Sequence, residues 1–96
     1  MADQFNDAFH DRVAAHINMS NDQKKAPGLS ANEVNHSMLF ASARFSAWLS
    51  ATNYASGDAM AAQKKEIVDY FTQGFREMLE SNVDDHIKNF DRFMKS

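Results

Sequence analysis

Arg44 makes the largest demand on its surroundings. It is the only formal charge between Glu33 and Asp58, and it sits in the middle of residues 37–51, a run of Met, Leu, Phe, Trp, Ala and Ser. A guanidinium in such a run needs its fork of donors satisfied, ideally by a bidentate carboxylate. Asn82 and Asp85 interrupt the apolar side of a later helix and are the expected partners, with Asp69 and Glu66 as alternatives. Arg44, Asn82 and Asp85 thus form a candidate buried polar cluster. In one reading it is a structural ion pair tying the C-terminal turn to the central helix. In the other it is an anion-recognition arginine in a pocket. The first is favoured, because no glycine-rich loop or second arginine stands nearby.

Metal ligation is the next chemistry to weigh. Glu33-x-x-His36 and Asp7-x-x-His10 each put a carboxylate and an imidazole one helical turn apart, the spacing that di-iron bundles use twice together with two further carboxylates. Glu33, however, belongs to a capping box, and His36 points away from the main apolar face. Asp7 and His10 flank the wet side of their helix. Surface histidines are the expectation, and His16, on an apolar stripe, reads as a hydrogen-bonded core histidine. No metal or cofactor is expected. Nucleophilic catalysis has little support, since there is no G-x-S-x-G elbow and the chain holds only three glycines. Asp84-Asp85-His86 reads as a solvated trio at a helix start, where acids favour the dipole. No catalytic residue is assigned.

Composition narrows the classes further. The 96 residues suit a single domain, residues 1–96, with a modest core. A net charge of −3 and a pI near 5.7 argue against a nucleic-acid binder, which would carry a basic face. Without cysteine there are no disulfides, thiolate metal sites or cysteine nucleophiles. The start, Met1-Ala2-Asp3-Gln4-Phe5, shows neither a basic nor an apolar signal region. A mean hydropathy of −0.54, with Asn35, His36 and Arg44 along the central stretch, disfavours membrane insertion. The expectation is a cytoplasmic protein. Two glycosylation sequons, at Asn18 and Asn35, are set aside for want of a secretory context.

The elements that position these residues are helices. Phe5, Phe9, Val13 and Ile17 recur every fourth residue, predicting a first helix from about Asp3 to Met19 with Asp3 as N-cap. A polar connection, Ser20 to Gly28, closes on Pro27-Gly28. Ser30-Ala31-Asn32-Glu33 is a capping box flanked by Leu29 and Val34 in hydrophobic-staple positions. It opens a second helix reaching about Asn53 or Tyr54. That helix is apolar or small on nearly every side, which predicts neighbours on more than one side. Ser56-Gly57-Asp58 then ends one helix and caps the next, with Gly57 free to turn left-handed.

The third helix carries a stripe of Met60, Ile67, Val68, Phe71, Phe75, Met78 and Leu79. Gly74 borders the stripe at a helix-propensity cost of about 1 kcal/mol relative to alanine, which a close helix crossing would justify. Lys65, Asp69, Arg76 and Glu80 face water. After Ser81-Asn82 the apolar positions shift by about 100° to Val83, Ile87, Phe90 and Met94. A helix break near Asn82 is favoured, with Asn82-Val83-Asp84-Asp85 recapping a short fourth helix to about Lys95.

Ala41-x-Ala43-Arg44-Phe45, followed by Asp69-Tyr70-Phe71 and Met78-Leu79-x-x-Asn82-x-Asp84-Asp85, resembles a small family of bacterial proteins of unknown function. The resemblance spans roughly residues 5 to 90. It implies a compact all-helical protein of proteobacterial type and brings no activity, cofactor or substrate with it.

The expected fold is all-α, a small bundle of three main helices plus a short C-terminal helix, with residues 30–54 as the central helix. The second apolar stripe, Val83, Ile87, Phe90 and Met94, is long for a terminal segment, and ordinary monomers do not leave such patches in water. It is the candidate association surface, with a homodimer or another protein as partner. The expected role is a non-enzymatic, self-associating interaction module. The alternative is a small-ligand (anion) or metal-binding protein using Arg44 or the histidines.

Overall fold

The computed structural model describes residues 6–95, and every described element is helical. In order they are α1 (Asp7–Gln23), α2 (Ala31–Ala51), α3 (Gly57–Ala61), α4 (Lys64–Lys88) and α5 (Phe90–Met94). The three long helices and the short C-terminal one match the all-α expectation, and α3 is an additional short turn. The chain divides into two compact units, Met1–Phe45 and Ser46–Ser96, with α2 contributing to both.

In the first unit α1 begins later than its periodicity suggested. Asn6 is the N-cap, its side chain accepting from the Phe9 amide at 3.0 Å. Asp3, the expected cap, and Phe5 lie outside the described residues. At its other end α1 runs to Gln23, one turn beyond Met19, because polar Ser20, Asn21 and Asp22 continue a wet helical face as readily as they form a loop. The Ser20 hydroxyl donates to Met38 Sδ at 3.4 Å, linking α1 to α2.

Between the two helices, Ala26 O accepts from the Leu29 amide at 3.3 Å, and Gly28 takes φ +79°. Proline second and a left-handed glycine third is the type II turn pattern. The capping box forms as expected. Glu33 N donates to Ser30 Oγ at 3.1 Å, and Ser30 N donates to Glu33 Oε1 at 3.2 Å. Val34, one residue further on, is buried.

In the second unit α2 ends at Ala51, two or three residues short of the expected stop, where the Thr52 hydroxyl donates to Leu49 O at 2.6 Å. Ser56 caps α3 by accepting from the Ala59 amide at 3.1 Å. Gly57 is therefore the first helical residue and keeps a negative φ, so the left-handed turn expected there is not made. A serine hydroxyl satisfies the free amides more directly than a glycine can.

The expected break at Asn82 is also absent. α4 continues to Lys88 and turns at Asn89 instead. The Asn82 side chain donates to Met78 O at 2.8 Å, one turn back, and leaves the backbone ladder intact. Asn89 donates to both Asp85 O, at 3.2 Å, and Asp85 Oδ1, at 2.8 Å, and this marks the real corner. Lys65–Asp69 at 2.6 Å and Arg76–Glu80 at 3.3 Å lie on the wet side of α4, where each exposed i,i+4 pair adds a few tenths of a kcal/mol.

Candidate functional site

Arg44, Asn82 and Asp85 are all exposed, not buried. Asn82 and Asp85 spend their side chains within α4, on Met78 O and Asn89 respectively. Each of these bonds spans one helical turn, the reach at which Asn and Asp side chains find local polar groups. The burial expected for this cluster came from reading α2 as an enclosed helix. In the structure Phe40 is 67% and Trp48 60% exposed, and within α2 only Val34 and Ser50 are buried.

The C-terminal stripe takes a definite form within the second unit. Val83, Ile87 and Phe90 line one open groove together with Leu79, Asn82 and His86. Met94, the last residue of the stripe, is exposed and does not line it. Leu79 stands four residues before Val83 and His86 three after it, so helical spacing alone places them on this wall. The His86 Nδ1 lies 2.8 Å from Asn82 O, and the His86 ring stacks on Phe93 with centroids 4.5 Å apart. Arg92 lies over the Phe93 ring at 4.8 Å from its centroid, the geometry of a cation–π contact. Asp91 and Lys95, paired at 3.3 Å, complete α5.

This arrangement offers apolar surface without reactive groups. Leu79, Val83, Ile87 and Phe90 present nothing to protonate or polarise a substrate, the Asn82 amide donates to Met78 O, and the His86 imidazole lies against Asn82 O and the Phe93 ring. His86 and Phe93 were not foreseen as a pair. Their seven-residue spacing reads as two turns of one helix, whereas the corner at Asn89 is what turns one ring onto the other. Among the described residues no group of three or more His, Cys, Asp or Glu is placed to hold a metal ion. No helix among them is long and apolar enough to cross a membrane.

Residues 9–87 match the model of a family described as protein of unknown function, DUF3144. The chain belongs to that family. A solved relative, the NMR structure of the protein NB7890A from Shewanella sp, shares 33% identity with this DUF3144 chain and covers 94% of each chain at a TM-score of 0.79. No curated protein matches. The DUF3144 assignment agrees with the bacterial, all-helical resemblance carried by Arg44-Phe45 and the Met78–Asp85 segment, and it adds no activity.

Proposed function

We propose that this DUF3144 chain is a non-enzymatic, self-associating interaction module of the bacterial cytoplasm, and that Val83, Ile87, Phe90 and Met94 are part of its association surface. One observation carries the reading. Among the described residues the only buried hydrophobic side chain is Val34, at 3% exposure, while Ile87 is 69%, Met94 63% and Met78 61% exposed. A chain of this length stands alone only by enclosing a core of its own. Side chains of this size left in water mark surfaces that another polypeptide covers. A second copy is the simplest partner, since a two-fold interface uses one patch twice.

The test is native mass spectrometry of gently purified protein, together with thermal unfolding across a hundredfold range of concentration. The expected result is twice the 10.9 kDa chain mass and a midpoint that rises with concentration, because association stabilises the folded state by mass action. A single-chain mass throughout, with a midpoint independent of concentration, overturns the reading. A single chain carrying a reproducible extra mass would instead support a ligand-binding protein.

A further inference from the structure

His86 is the titratable side chain on the wall of the α4–α5 groove, and two contacts fix its ring. Its Nδ1 lies 2.8 Å from Asn82 O. A carbonyl oxygen only accepts, so Nδ1 carries a hydrogen and donates it. The neutral ring therefore keeps its lone pair on Nε2, and a second proton goes there. The other contact is the face of Phe93, with centroids 4.5 Å apart. Protonation at Nε2 breaks neither contact. It changes the charge of the wall, and for a histidine that change falls between about pH 5 and pH 8.

The surrounding charges favour a neutral wall. Asn82, Val83, Asn89 and Phe90, three and four positions from His86, are not ionisable. The neighbouring Asp85 carboxylate accepts from the Asn89 amide, and Asp84 and Lys88 stand about 160° around the helix. From α5, Arg92 lies over the same Phe93 ring at 4.8 Å from its centroid, while Asp91 is paired with Lys95 at 3.3 Å. An imidazolium would thus share its aromatic ring with a guanidinium, a like charge, beside Leu79, Val83, Ile87 and Phe90.

We propose that His86 makes self-association pH-sensitive: two chains pair through the groove while the imidazole is neutral and separate when it is protonated. This regulation rests on the self-association proposed above. A second copy seated on the groove takes water from its wall, and an imidazolium among aliphatic side chains loses hydration that the neutral ring scarcely needs. A two-fold pair brings in the same patch from each copy, so two such charges enter one interface. The Phe93 ring and the carbonyl end of α4 both favour a cation. They act alike in the single chain and in the pair, however, and drop out of the Kd. Because the pair holds the neutral form, affinity is full above the histidine midpoint and is lost as pH falls through it. Whole-chain charge works the other way, since copies repel one another least near the pI of about 5.7. A pair that weakens there weakens for a local reason.

Sedimentation equilibrium of the full chain at about pH 7.5 and about pH 5.5 tests this, the lower value lying about one unit below the ordinary histidine midpoint and above the carboxylate range. The wild-type Kd should rise about a hundredfold at the lower pH, roughly tenfold from the histidine of each copy. His86→Asn removes the charge and keeps a donor for Asn82 O, as Asn82 and Asn89 already donate to the carbonyls four residues back. Its Kd should be the same at both pH values. A variant with His10→Gln, His16→Gln and His36→Gln together should keep the hundredfold rise. A wild-type dimer with an unchanged or lower Kd at the lower pH overturns the switch and leaves self-association standing. So does a rise that persists in His86→Asn or vanishes in the triple variant. A wild-type chain that sediments as a monomer at both pH values and every concentration overturns both proposals.

Discussion

His86 and Phe93 stack with their ring planes 26° from parallel and their centroids 4.5 Å apart, across the corner at Asn89. The stack joins α5 to the end of α4, and Arg92, within α5, lies over the Phe93 ring at 4.8 Å from its centroid. The helix of five residues is too short to persist by itself. Its orientation, and with it the placement of Phe90 beside Val83 and Ile87, depends on the stack.

Phe93→Ala should therefore release α5. An aromatic contact of this kind is worth about 1 kcal/mol beyond the area it buries. Hydrogen exchange should show the amides of residues 90–95 losing protection while those of residues 64–80 keep theirs. Equal protection in variant and wild type would mean that the stack does not hold the corner.

Ile87→Asp probes the association surface. Its side chain is exposed within the chain, so the variant should keep its helical content. Burying an isoleucine against a partner contributes on the order of 2 kcal/mol, and a carboxylate in its place adds desolvation. The dimer Kd should rise at least about thirtyfold, measured by sedimentation equilibrium. An unchanged Kd would remove Ile87 from the interface.

The continuity of α4 has its own test in Val83→Pro. Were Asn82 an N-cap, Val83 would be the first helical residue, a position where proline is welcome. Inside an unbroken helix the ring removes a backbone bond and clashes with the carbonyl four residues back, at a cost of about 3 kcal/mol or more. Chemical denaturation should show that large loss. A loss near zero would place a helix start at Asn82 after all.

Ser30→Ala should lower stability by about 1 kcal/mol, the usual worth of an N-cap hydroxyl. The reciprocal bonds between Ser30 and Glu33 couple the two positions. Ser30→Ala/Glu33→Ala should accordingly cost less than the sum of the single variants, as measured by the denaturant midpoint of each.

Strictly local features were legible from the residues. The capping box at Ser30 and Glu33, the turn at Pro27-Gly28, the all-helical class and the wet positions of Lys65, Asp69, Arg76 and Glu80 all depend on neighbours within about four residues. Spacing encodes such neighbours directly. The stripe Val83, Ile87 and Phe90 was visible for the same reason, whereas Leu79 and His86 joined its groove only once α4 was seen to run unbroken past Asn82.

What the tertiary structure decided was which competing local signal won and what was left uncovered. Asn82 and Asn89 are the same residue type, and either side chain suits a cap or a bond back to the preceding turn. The fold places the continuation at the first and the corner at the second. The apolar run around Arg44 specified that something must cover it, since composition measures the free energy of burial. It carried no information on whose atoms do the covering, and in the structure Phe40, Phe45 and Trp48 stay largely exposed.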